Sequence, residues 1–144
     1  MATKQQTIYL NQSRFNDLVY ASRLLVLSKS TIINVLVRDF LGQKKETIKK
    51  ILDSKDDKYQ SYYNMPSIKI RSVWSVNSTF LKGVKKFCEK NNLTISFFIH
   101  LVLIRYSWYF MEKYQMSLKN KFNRVYEKKV SEYARYNFQR GIVL

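Results

Sequence analysis

One cysteine, one proline, three glycines and one histidine are all that 144 residues contain of these types. A lone Cys88 excludes an internal disulfide. With no secretory leader ahead of the polar start MATKQQ, the expectation is a reducing, cytoplasmic setting. Scarce Pro and Gly exclude a collagen-like or turn-rich chain and favour helix. A single His and scattered acids offer no metal cluster, and no glycine-rich phosphate loop occurs. The sequence therefore predicts no cofactor, no metal and no enzyme. His100 lies in an apolar run and reads as structural. Cys88 falls on the apolar side of a helix and reads as a buried thiol.

Acidic residues are scarce too. Ten of them face 26 basic ones, giving a net charge of +16. The imbalance implies an anionic partner, most simply nucleic acid, with an anionic membrane surface as the second choice. The charge is uneven: residues 1–66 carry +5 and residues 67–144 carry +11. Apolar content is 46%, enough for a core in a chain that suits one medium domain or two very small ones.

What is present reads as one pattern passed through twice. From Gln5 to Asn11, Ile8 and Leu10 alternate with Thr7 and Tyr9, which predicts a short strand with one apolar face. QSRFNDLVYASRLL then repeats apolar residues at helical spacing. Ser28 suits the cap of a second helix, SKSTIINVLVRDFLG, whose stripe is Ile32, Ile33, Leu36, Val37 and Phe40. In the second pass, IKIRSVWSV alternates again, with Ile70, Trp74 and Val76 on one side and Lys69, Arg71, Val73 and Ser75 on the other. Asn77 or Ser78 caps STFLKGVKKFCEK, Asn92 suits a left-handed turn, and Thr94 caps the apolar helix TISFFIHLVLIRYSWYF. Leu10 stands 18 residues before Ser28, and Val76 stands 18 before Thr94. Equal spacing favours a repeat. A lone strand of this length is unstable, so the two strands are expected to pair and share one core.

This plan resembles the ribbon–helix–helix family of DNA-binding proteins. Ser28-Lys29-Ser30-Thr31-Ile32-Ile33 is similar to the start of that family's second helix, and Thr94-Ile95-Ser96-Phe97-Phe98-Ile99 is a looser match without the basic residue. Two copies in one chain resemble a small group of relaxosome accessory proteins of conjugative plasmids; other members are repressors, copy-control proteins and antitoxins. The implied fold is mainly α with a two-stranded antiparallel β-ribbon: a tandem pseudo-dimer over 1–111 (copy one 5–42, linker 43–66, copy two 67–111) plus a basic helical C-terminal extension over 112–144. The implied activity is sequence-specific binding of double-stranded DNA, in plasmid transfer or transcription regulation, with a relaxase or other relaxosome protein as a further partner.

A two-stranded ribbon fits the major groove. Carried onto this chain, the resemblance makes Gln5, Thr7, Tyr9, Lys69, Arg71, Val73 and Ser75 the base readers. Arg71 or Lys69 suits guanine, Gln5 suits adenine, and Thr7 and Val73 offer methyls to thymine. The helix starts, Ser28, Lys29 and Ser30 in one copy and Thr94 and Ser96 in the other, are expected at phosphates. The plain alternatives are a solvated ribbon face and ordinary helix caps. Because the two strands differ chemically, the expected DNA site is asymmetric or a direct repeat.

The helix from Phe97 to Ile104 has no polar face, so something must cover it. The candidates are the tail or another molecule. A homo-oligomer joined through Phe97, Leu101, Ile104 and Trp108 is the expectation. The alternative function is a helical interaction or structural protein, membrane-associated through residues 97–108. Residues 93–111 have the bare length of a membrane span, but His100 and Arg105 lie inside it, and a span is not expected. The tail carries a stripe including Tyr114, Leu118, Phe122, Tyr133 and Phe138. In the linker, residues 44–53 read as a short helix and 54–66 as loop.

Overall fold

The computed structural model describes residues 2–53 and 69–106, together with Asn120, Phe122 and Asn123. Over these residues the chain is mainly helical with one two-stranded antiparallel sheet. In order come β1 (Thr3–Leu10), α1 (Gln12–Leu25), α2 (Lys29–Leu41), α3 (Lys45–Asp53), β2 (Ile70–Asn77), α4 (Ser78–Lys90) and α5 (Ile95–Arg105). The expected loop over 54–66, Trp108 and all but three residues of the expected tail helix lie outside the described residues.

The strands form because alternation gives each a single apolar face. Ile8 and Leu10 of β1 and Trp74 and Val76 of β2 are almost wholly buried. The register runs from Thr3 opposite Asn77 to Leu10 opposite Ile70. Four helices begin at polar caps; Ser28, Asn77 and Thr94 are caps that the sequence predicts, and Asn11 is an additional one. Asn11 accepts from the Arg14 N–H, Ser28 from Thr31, Asn77 from Thr79 and Phe80, and Thr94 from Phe97. Each cap satisfies amides that the first helical turn leaves open.

The local events recur at one interval. Cap Asn11 recurs as Asn77, Ser28 as Thr94, and left-handed Val26 as Asn92, 66 residues on in each case. The Leu27 N–H donates to the Ser22 carbonyl, and 66 residues on the Leu93 N–H donates to that of Cys88. Thr7 pairs across the sheet with Val73, also 66 residues away, so this pair marks the centre of the repeat.

Packing crosses between the repeats. α2 lies against β2, and α5 lies against β1. Asn34 of α2 accepts from the Trp74 indole at 2.8 Å and donates to the Ser75 carbonyl at 3.2 Å. The Arg38 guanidinium sits over the Phe80 ring at 4.9 Å. α5 is the central element, touching β1, α1, α2 and α4. Phe98 meets Phe40 edge-on at 5.6 Å and Phe87 at 5.3 Å. His100 and Cys88 are both buried, and burial pushes the Cys88 thiol up to about 11.

The apolar wrap of α5 is thus used within one chain. Residues 98–103 are all buried, and Phe122 from the tail is buried in the same core. Leu101, expected between copies, has no surface left to offer a second molecule. Phe97, stacked on His100, and Ile104 are half-buried. Among the described residues no helix is long and apolar enough to cross a membrane.

Two features generate predictions. Val26 ends α1 with φ at 55° and is 78% exposed. A β-branched residue is strained there, whereas Asn tolerates it. Val26→Asn should raise stability by about 1 kcal/mol, and Asn92→Val should lower it by a similar amount. Thermal melts of both variants check the pair; equal melting temperatures would contradict the strain. Asp17 is different. Burial pushes its carboxyl up to about 6 from 3.8, although Arg14, 3.2 Å away, pulls the other way. The folded chain therefore holds this proton more tightly than the unfolded chain. Its favourable contribution is complete below pH 3.8 and is lost as pH rises to about 6. Asp17→Asn should raise stability by about 1–3 kcal/mol at pH 7.5 and change little at pH 3.5. Denaturant titrations at the two pH values measure the difference.

Candidate nucleic-acid interface

The outer face of the ribbon gathers most of the sequence-predicted base readers. Opposite residues of a sheet share a face, and the register makes three cross-strand pairs: Gln5 with Ser75, Thr7 with Val73, and Tyr9 with Arg71. Tyr9 is 47% and Val73 45% exposed, and Gln5 and Arg71 are exposed as well. Thr7 and Ser75 are half-buried. The Ser75 hydroxyl donates to Gln5 Oε1 at 3.0 Å and fixes the orientation of that amide. Lys69 stands apart. It precedes β2 by one residue, outside the paired register, and is half-buried, with burial drawing its ammonium below the usual lysine range.

The row has two unlike ends. One carries Tyr9 and Arg71, an aromatic hydroxyl beside a guanidinium. The other carries Gln5 and Ser75, both neutral. Between them lie the methyl groups of Thr7 and Val73. Successive pairs are two residues apart, roughly 6.8 Å along the strands. The repeat relates Gln5 to Arg71 and Tyr9 to Ser75, so its symmetry holds for the backbone and fails for the chemistry.

The helix starts flank this row, joined to it by a feature that sequence reasoning missed. Ser30 Oγ accepts from the Ser75 backbone N–H at 2.8 Å, and Ser96 Oγ accepts from the Tyr9 backbone N–H at 2.9 Å. Donors and acceptors are again 66 residues apart. Each serine thus ties the first turn of one repeat's second helix to the strand of the other. Ser28 and Thr94 serve as caps. In these serines and threonine the oxygens accept protein hydrogen bonds; accepting leaves an O–H its own proton, so hydroxyls and the backbone amides of the first helical turns are both suited to an incoming anion. Lys29 lies with its ammonium 5.7 Å from the centre of the Phe15 ring, which holds the side chain beside the α2 start. The corresponding position in the second repeat is Ile95, so that helix start carries no matching lysine.

Two further polar groups escaped the sequence reading. Asn34 interrupts the apolar run IINVLV, and that interruption is the signal that marks it. Tyr106 donates its phenol to the Asp39 carboxylate and accepts from Gln43 Nε2 at 3.2 Å. Burial first, then Asp39, pushes the Tyr106 phenol well above the usual tyrosine range. No periodicity links residues so distant in sequence. No protein-family model, no curated protein and no solved structure matches this chain.

Proposed function

We propose that the chain is a tandem ribbon–helix–helix protein that binds double-stranded DNA through the outer face of its ribbon, laid in the major groove. The observation that carries this reading is the row Gln5/Ser75, Thr7/Val73, Tyr9/Arg71, exposed on a two-stranded ribbon and flanked by two helix starts tied to its edges by Ser30 and Ser96. A ribbon has the width of the major groove, and free amides at helix starts suit phosphates on either side. A net charge of +16 supplies the attraction that brings a duplex in.

The pairs have chemistry suited to base edges. Arg71 can make two hydrogen bonds to guanine, Gln5 can pair with adenine, and the central methyls fit thymine. The outer pairs are four residues apart, roughly 14 Å, or about four base-pair steps. A guanine contact and an adenine contact at that separation make an oriented, non-palindromic site. Reading such a site serves either an accessory protein at a plasmid transfer origin or a transcriptional regulator. A relaxase or other relaxosome protein would be the additional partner in the first case.

Selection from a random duplex library should return one asymmetric consensus. On that duplex Arg71→Ala should cost about 1–3 kcal/mol and relax the preference at one end only. Gln5→Ala should relax the other end. Lys29→Ala should weaken selected and random duplexes by similar factors and lower the salt slope by about one. Titrations on both duplexes at several salt concentrations, with circular dichroism as the folding control, read all three. Equal losses for Arg71→Ala on selected and random DNA would overturn base reading by the ribbon.

A further inference from the structure

A second surface lies at the other end of α2. Ser30, in its first turn, holds the ribbon edge, and Leu41 closes the helix roughly 16 Å further on. Between that end, α3 and the last turn of α4 runs a half-open groove of about 660 Å³. Leu41, Ile48, Leu52 and Phe87 make its apolar floor. Lys45, Lys49 and Lys90, all exposed, stand along its rim, and among the lining residues Asp53 alone is acidic.

We propose that this groove docks an acidic amphipathic helix of a protein partner. Three observations select that occupant. First, α3 presents its groups at helical intervals. Ile48 and Leu52 are four apart, and so are Lys45 and Lys49, which gives an apolar ridge beside a cationic one. A helix laid along α3 meets such ridges with its own i, i+4 rows. Second, α3 has nine residues, roughly 14 Å, which matches two to three turns of a partner helix. Third, charge excludes occupants that are themselves basic. Residues 112–144 carry +5, and a second copy of the chain carries +16. Either would bring lysines to a lysine rim, whereas glutamates between leucines complement it.

The groove is separate from the ribbon row, so occupancy of one leaves the other open. A partner held here would be carried to whatever the ribbon binds. The docking itself does not depend on the ribbon's ligand.

The test uses the full chain, labelled with ¹⁵N, and a capped 14-residue peptide with leucines at i, i+3, i+4 and i+7 and glutamates elsewhere. The expected result is saturable shifts of the Ile48, Leu52 and Phe87 amides, with little effect at Thr7 and Val73. Combining Lys45→Glu, Lys49→Glu and Lys90→Glu should weaken the peptide about tenfold or more. The preference between selected and random duplexes should remain. All three lysines are exposed, and circular dichroism checks the variant's fold. Several outcomes would overturn the proposal. Equal binding of the lysine and glutamate versions of the peptide is one, and unchanged binding by the triple variant is another. Displacement of the peptide by duplex DNA would put it on the ribbon as a mere polyanion. Phosphatidylglycerol vesicles shifting the groove amides where the peptide does not would make the surface a lipid site. Groove shifts from Asp56→Asn with Asp57→Asn, without peptide, would assign the groove to the chain's own connecting segment.

Discussion

Everything in this fold depends on β1 finding β2. A two-stranded ribbon has two outer edges, each a row of backbone groups without a strand partner. Here the Tyr9 amide on one edge is satisfied by Ser96 and the Ser75 amide on the other by Ser30. The strand of each repeat is therefore held by the helix of the other. The same crossing recurs in the packing, with α2 on β2 and α5 on β1. Neither repeat closes its own core, and the buried residues form one cluster drawn from both.

That mutual dependence fixes the backbone symmetry but not the side chains. The 66-residue interval preserves caps, left-handed turns and the two serine ties. Where geometry does not dictate the residue, the repeats diverge. Asn34 and Trp74 form a hydrogen-bonded pair, whereas His100 and Ile8 occupy the corresponding places. Lys29 over Phe15 is replaced by Ile95 and Leu81. Gln5 is replaced by Arg71. A single gene carrying both copies lets each half acquire its own chemistry, which a pair of identical chains cannot do. An oriented ligand is the kind of target that exploits this freedom.

Strands, helices and caps were legible in the sequence because each has a local signature. Alternation marks β1 and β2, and Ser28, Asn77 and Thr94 stand where first turns need acceptors. Asn92 announces a left-handed turn. Val26 gives no such signal, since valine is disfavoured at φ 55°, and only its equivalence to Asn92 explains it. The outward ribbon row follows from period two, while Lys69 misses it because strand pairing begins one residue later. Periodicity also shows that α5 is apolar all round, but not what covers it. Sequence reasoning therefore placed Leu101 between molecules, where the structure buries it among its own chain's helices and Phe122. The ties from Ser30 and Ser96 span 45 and 87 residues and were invisible for the same reason.

The last of those distances also bears on how the protein is made. The chain's first strand is completed by a hydrogen bond that Tyr9 donates to Ser96 of α5, 87 residues downstream. As the chain leaves the ribosome, β1, α1 and α2 emerge with an open ribbon edge and an uncovered apolar face. They must wait for β2 and α5 before any cooperative unit exists. In a two-chain ribbon that wait ends with an encounter between molecules, and its length depends on expression level. Here it ends when translation reaches α5, so pairing of the two strands needs no second molecule.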